Sequence, residues 1–215
     1  MAAFNKDEKD CPLISLHVTD VTNSSEVEET VNTIIKQWGG IDILINNAGT
    51  SQSPRKATLE TLSADDLRSL LDLNVVGVHI VTSAVLRQSM LPAKNGKIIN
   101  ISSRAGKVGY PLMSHYCASK FALEGLTAAL AEEVRDMGIQ VNSFSPGLVN
   151  TKSFPKPDGR KGVRSADSID EGLFVLLEGG VTGHYIHADE LDEVREKKLD
   201  DSVALKPISE AIFSP

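Results

Sequence analysis

The chain has 215 residues, 41% apolar and 24% charged, with a formal net charge of −7, the composition of one soluble domain with room for a sizeable core. The acidic balance argues against a general nucleic-acid or membrane-surface binder, which needs a basic face. No apolar run reaches the roughly 18 to 20 residues that span a bilayer, MAAFNKDEKD at the start has no signal core, and Cys11 and Cys117 alone cannot build a disulfide framework, so a reducing, cytoplasmic setting is expected.

Along the chain, short β-like runs alternate with longer helical stretches, which predicts a parallel sheet with helices on both faces. A charged leader (residues 1–11) precedes a core over residues 12–188 and an acidic, helical tail over 189–215, all in a single domain. Residues 12–18 read as a strand ending at Thr19-Asp20. Helical spacing at Val27, Val31, Ile34 and Ile35 follows, and Gly39-Gly40 stops it. Residues 41–46 form a buried strand that runs into Asn46-Asn47-Ala48-Gly49. A long helix is expected over 65–90, a strand over 97–101 that hands over to Ser102-Ser103, and a helix over 114–136. Residues 140–144 form the next strand, leading into Ser145-Pro146-Gly147. A turn-rich stretch (153–165) separates it from a helix at 169–177 and a last strand at 182–188. There are no internal repeats.

The residues that carry chemistry are Tyr116 and Lys120, four apart on one helix, with Ser103 at the end of an upstream strand. A free tyrosine titrates near ~10 and is a poor acid-base catalyst at neutral pH. A lysine one turn away shares its face, and its charge favours the phenolate. A serine from another element can hydrogen-bond the same substrate oxygen. Alone, Tyr-x-x-x-Lys is more often an amphipathic surface pair, Asn46-Asn47-Ala48-Gly49 a turn, Asn74 a polar interruption of a helix, Pro146-Gly147 punctuation and Ser103 a cap. None of these separate readings predicts the joint spacing. In a parallel α/β sheet, ligands bind beyond the carboxyl ends of the strands, and Asp20, Asn46 to Gly49, Ser103 and Pro146 to Thr151 all follow predicted strands.

With these motifs, including Asp20-Val21, Leu73-Asn74-Val75, Ile101-Ser102-Ser103 and Tyr116-Cys117-Ala118-Ser119-Lys120, the sequence resembles the short-chain dehydrogenase/reductase family over roughly residues 13–189. The resemblance implies a Rossmann-like, doubly wound α/β parallel sheet. It implies Tyr116 as general acid/base and Ser103 as donor to the substrate oxygen. Lys120 would lower the tyrosine pKa and hold the nicotinamide ribose, and the main-chain carbonyl of Asn74 would hold a relay water. Asp20 and Val21 match positions beside the adenine. Asn46, Ala48 and Gly49 match the adenosine ribose side, and Pro146, Gly147, Val149 and Thr151 the nicotinamide half. The implied reaction is hydride transfer between NAD or NADP and a secondary alcohol or ketone. A homodimer or homotetramer, pairing through the helices at 65–90 and 114–136, is implied in the same way.

One departure from the family pattern concerns the opening strand, Gly-rich turn and helix that cradle the pyrophosphate. The sequence has no such run, and it reads as starting at the family's third strand, with two strands and two helices absent, on the order of 50 residues. The expectation is a fold truncated at the N-terminus, with an opened edge beside the 41–46 strand and no residue to separate NAD from NADP. A second function then competes: a catalytically inactive relative used for binding or dimerisation.

Lys152, Lys156, Arg160, Lys161 and Arg164 make the 153–165 region basic; a solvated loop is the plainer reading, attraction of an anionic substrate the sharper one. His184 and His187 point to opposite faces of a strand, so no metal site is expected. Cys117 reads as a small buried helix residue.

Overall fold

In a computed structural model the protein is described over residues 14–51, 57–152, 155–156 and 160–209. In chain order the elements are α1 (Ser24–Trp38), β1 (Ile43–Asn46), α2 (Ala64–Ala93), β2 (Gly96–Ile101), α3 (Ser114–Glu133), β3 (Ile139–Ser145), β4 (Leu148–Val149), β5 (Val163–Arg164), α4 (Asp170–Glu178), β6 (His184–His187), α5 (Ala188–Glu196) and β7 (Lys206–Pro207).

The main sheet has the order β1-β2-β3-β6-β7, parallel throughout except for the antiparallel β6/β7 pair. Strands such as Gly96–Ile101 are apolar on both faces because both are covered. On one side α1, α2 and α3 enclose Val27, Val31, Val85, Met90, Ile98, Ala131 and Val141. On the other, α4 and α5 close over Ile99, Phe144, Leu176, Ile186, Leu191 and Val194. The arrangement is the doubly wound α/β fold expected.

Local signals account for the element ends. Asn23 caps α1 by accepting from the backbone N–H groups of Ser25 and Glu26, and Gly39 ends it in the left-handed conformation. Ser63 and Asp66 form a capping box at the start of α2. Gly138 turns α3 toward β3 at φ 73°, and a Cβ there would fall 2.2 Å from the Lys94 carbonyl, so only glycine fits.

Several expectations are corrected. Residues 14–18 are not a strand: they are irregular, and Ile14, Leu16 and Val18 are exposed. Residues 12 and 13, and Cys11, lie outside the described residues. Among the described residues β1 pairs with β2 alone, and the 14–18 segment joins neither its open edge nor any other strand. Among the described residues nothing covers the face of β1 opposite α1 and α2, since α4 packs over β2, β3 and β6, and Ile43 and Ile45 are 48% and 41% exposed. The acidic tail is an integral part of the domain at least to residue 209. Leu191, Val194, Ala204 and Ile208 are buried, and β7 extends the sheet.

The long helix also differs from expectation. It is interrupted by two π turns, Asp72–Gly77 and Leu86–Met90. By length and composition it is apolar enough to cross a membrane, although the sequence shows no unbroken apolar run. It packs against α1, α3 and β1, and is the central helix of the first core.

Candidate active site

The carboxyl ends of β1, β2 and β3 gather most of the predicted residues. β2 ends at Ile101, and the chain continues through Ser102 and Ser103 into a 3-10 turn at Arg104–Gly106, with the Ser103 hydroxyl accepting from the Ala105 N–H at 3.2 Å. This turn packs on α3, which carries Tyr116 in its first turn and Lys120 in the next. The Ser103 hydroxyl lies beside the Tyr116 phenol and draws its pKa down, but burial is the larger effect and pushes the phenol above its ordinary value. Burial, rather than the charge of Lys120, sets the net direction of this shift.

Lys120 is 8% exposed, and its Nζ donates to the Ile101 carbonyl at 2.8 Å while sitting 5.9 Å from the centre of the Tyr116 ring. Burial lowers its pKa to about 8, opposed by the negative charge of Glu124. An ammonium has three donors, and one is used on Ile101, so Lys120 retains hydrogen-bonding capacity for hydroxyls brought to the site.

Asn74 lies in the first π turn of α2 and is almost fully buried. Its side chain accepts from the Thr50 N–H at 2.9 Å and donates to the Thr50 carbonyl at 2.8 Å and to Ser119 Oγ at 3.1 Å. It thus ties the segment after β1 to α2 and α3. Gly49 lies against the same side chain, where a Cβ would come 3.1 Å from Asn74 Oδ1. The carboxamide is a structural knot, and the role implied for this residue concerns its main-chain carbonyl.

Asn46 closes a buried ladder. Its Nδ2 donates to Thr82 Oγ1 at 2.9 Å and to Asn100 Oδ1 at 2.8 Å, Asn100 Nδ2 donates to Thr127 Oγ1 at 2.8 Å, and Thr127 returns to the Leu123 carbonyl. Its donor group is consumed inside the protein. Ala48 is exposed at the strand end.

Asp20 is exposed, and its carboxylate accepts from the Thr22 N–H and hydroxyl, which lowers its pKa and forms the turn leading into α1. Val21 packs against Gly77 of the first π turn. Beyond β3, Gly147 has φ 75° and approaches Asp189, and Val149 in β4 pairs with Arg164 of β5. Pro146 is half-buried, and Thr151 is exposed to solvent at the mouth of this loop.

The basic segment is partly neutralised. Arg164 donates to Asp189 Oδ1 at 2.7 Å and to Asp192 Oδ2 at 2.5 Å, so it is not available to an anionic substrate. Residues 153, 154 and 157–159 lie outside the described residues. His184 bonds the Thr182 carbonyl, His187 caps α5 by accepting from the Asp189 N–H, and among the described residues no group of three could hold a metal. An open cleft of about 610 Å³ lined by Trp38, Asp42, Gln88 and Asn95 lies at the amino end of β1, away from these groups.

Sequence reasoning missed Lys107 and Glu124. Their ion pair, 3.0 Å long, is buried directly behind Lys120. The signal was present: Tyr116, Lys120 and Glu124 recur at four-residue spacing on one helix face.

The sequence profile of short chain dehydrogenases matches residues 5–158. The chain belongs to the short-chain dehydrogenase family. An Arabidopsis thaliana NADPH-dependent pterin aldehyde reductase is 43% identical over 137 residues, covering 64% of this chain and 55% of that protein. Among solved structures, ElxO with NADP bound superposes with a TM-score of 0.74 at 28% identity, covering 81% of this chain and 76% of that one. NAD+-bound xylitol dehydrogenase gives 0.71 at 28% identity, covering 80% and 76%. The chain spans about half the length of the curated relatives it matches, 55% of the pterin aldehyde reductase and 52% of a Synechocystis 3-oxoacyl-[acyl-carrier-protein] reductase.

Proposed function

We propose that this chain supplies the proton-transfer site of an NAD(P)-dependent oxidoreductase that reduces an aldehyde or ketone to an alcohol. The observation that carries the reading is the placement of the Ser103 hydroxyl beside the buried Tyr116 phenol, with the Lys120 ammonium on the same helix face. Tyr116 carries its proton at neutral pH, as any tyrosine of ordinary or raised pKa does, and in the reductive direction it gives that proton to the carbonyl oxygen as the hydride arrives. Ser103 donates to the same carbonyl oxygen and orients it. Lys120 offers its free N–H donors to ribose hydroxyls. A bound nicotinamide supplies the hydride. Lys120, with spare donors, and Pro146 to Val149 beyond β3 would serve its nicotinamide half, and Asn46 to Gly49 at the end of β1 its adenosine ribose side. The names of relatives support both NADPH and NAD+ as the carrier.

The test is NADPH consumption by the purified chain with a panel of aldehydes and ketones, a pterin aldehyde among them, beside Tyr116→Phe. Turnover that disappears in Tyr116→Phe supports the assignment. Turnover unchanged in Tyr116→Phe, or absent with every carbonyl while NADPH binds, sinks it.

A second reading, a non-catalytic binding or dimerisation protein, is favoured by the uncovered apolar face at Ile43 and Ile45. It predicts no turnover and a self-association or partner affinity that Ile45→Lys abolishes.

A further inference from the structure

Behind the site lies a buried charge cluster that the proposed reaction does not use directly. The Glu124 side chain is 0% exposed and that of Lys107 7%. Glu124 Oε2 accepts from Lys107 Nζ at 3.0 Å and from Ser143 Oγ at 2.9 Å, whereas Oε1 is buried with no hydrogen-bond partner among the described residues. The Lys107 ammonium rests 4.5 Å from the centre of the Tyr185 ring of β6. Two charges withdrawn from water seldom stabilise a fold more than an apolar pair would, and an oxygen left unbonded adds cost. Stability alone is a poor reason for this arrangement.

Its position suggests another. Glu124 is one turn from Lys120, which is itself one turn from Tyr116. Lys107 follows the turn that begins at Ser103. Gly106 in that turn lies so close to α3 that a Cβ would meet the Lys120 carbonyl at 2.9 Å and Glu124 Cγ at 3.0 Å. The groups facing Lys120 are Tyr116 and Glu124 on its own helix and the Ile101 carbonyl on β2. Those facing Glu124 are Lys120, Lys107 after β2, Ser143 of β3 and Tyr185 of β6, and Arg104 and Glu190 act on Tyr185 from nearer the surface.

We propose that Glu124 is a positioning residue: its carboxylate, anchored by Lys107 and Ser143, holds the Lys120 ammonium charged and clamps the Ser103 turn onto α3. Burial favours loss of the proton from Lys120, and Glu124 is the charge that opposes it. A neutral Lys120 loses its electrostatic hold on the phenol and donates weaker hydrogen bonds to the ribose. The inference rests on the proposed role of Lys120, but its test does not need turnover.

The experiment follows the Lys120 side-chain NMR signal of the full chain through a pH titration, with Lys120→Met for assignment. Glu124→Gln is expected to lower the Lys120 midpoint by about one unit or more, the effect of removing a nearby charge in a partly screened interior. Lys107→Met, which keeps the carboxylate, leaves the midpoint in place or raises it, and Glu124→Asp restores it in part. If Glu124→Gln fails to fold, the double variant Lys107→Met/Glu124→Gln removes the pair together and shows the same lowering. An unchanged midpoint in the variants lacking Glu124, or equal lowering in Lys107→Met, overturns the proposal. So does failure of every variant lacking Glu124 to fold, which assigns the pair to stability alone. In a reductase assay, Glu124→Gln moves the alkaline loss of turnover to lower pH. A parent chain that is inactive but titrates as expected overturns the proposed reaction and leaves this inference standing.

Discussion

Lys120 Nζ and the Ile101 carbonyl are 2.8 Å apart, so the helix that carries Tyr116 is bonded through its lysine to the strand that leads into Ser103. The bond fixes the reach between the two proposed catalytic hydroxyls from behind. It also places an ammonium in a site that water barely enters, and this has a measurable consequence in the absence of substrate.

The folded pKa of Lys120, about 8, lies below its ordinary 10.5. Between these values the unfolded chain binds the proton and the folded chain does not, so stability rises with pH across that window and is lost as pH falls through about 8. Lys107, also lowered by burial, acts in the same direction. Tyr116 and Tyr185 are raised and act oppositely, but only above their ordinary value of 10. Urea unfolding at pH ~9.5 should therefore show about 2 kcal/mol more stability than at pH ~7.5. Lys120→Met should flatten most of this rise.

For the reaction, Tyr116→Phe removes the transferable proton and keeps the ring. Turnover should fall by about 10² to 10⁴, with nucleotide affinity nearly unchanged. Lys120→Ala should harm both, because a ribose donor and a charge are lost together. Steady-state kinetics beside a nucleotide binding titration separate the two outcomes; equal and mild effects would refute the roles.

The Asn46–Asn100–Thr127 ladder is a stability element. Asn100→Ala leaves the Asn46 amide with one partner and removes the donor to Thr127 in a site closed to water. A loss of about 2 to 3 kcal/mol is expected in urea unfolding. A loss under about 0.5 kcal/mol would mean that water satisfies these groups.

Ile43 and Ile99 test the uneven coverage of the sheet. Ile99 is 1% exposed and Ile43 48%. Ile99→Ala should cost about 2 to 5 kcal/mol, and Ile43→Ala less than about 1 kcal/mol. Ile43→Lys should raise solubility, because it places charge on an open apolar face.

The amphipathic helix and the central strands were legible in the sequence: α1 from Val27 and Val31, and β1 to β3 from their Ile- and Val-rich runs. Caps and turn residues located their ends within one or two residues. The segment at 14–18 was misread because strand propensity describes a residue's fit to a sheet, and among the described residues this segment pairs with no strand. The tail was placed in the same domain as a helix, but its acidic composition hid that Leu191, Val194 and Ala204 join the second core and that Ile208 is buried. Positions of Tyr116, Lys120 and Ser103 followed from spacing. The direction of the Tyr116 shift did not, since it depends on how deeply surrounding elements bury the ring, which periodicity does not encode.

The π turn that carries Asn74 has a consequence for the length of α2. A bond from residue i to i+5 encloses one residue more than the α-helical bond, so the segment at Asp72–Gly77 holds an extra residue within a continuous helix. Deleting one residue there would let the ordinary ladder close with the flanking halves still in register, because the residue after the bulge already sits where an α-helical turn would end, and only the residues inside the turn would lose their places. Asn74 would then no longer face Thr50 and Ser119 while Val78, Thr82 and Val85 kept their seats on the sheet. The helix would gain regularity and lose the junction between β1, α2 and α3. The irregular turn is how one rod presents two faces at once, packing the core with one half and serving the strand ends with the other.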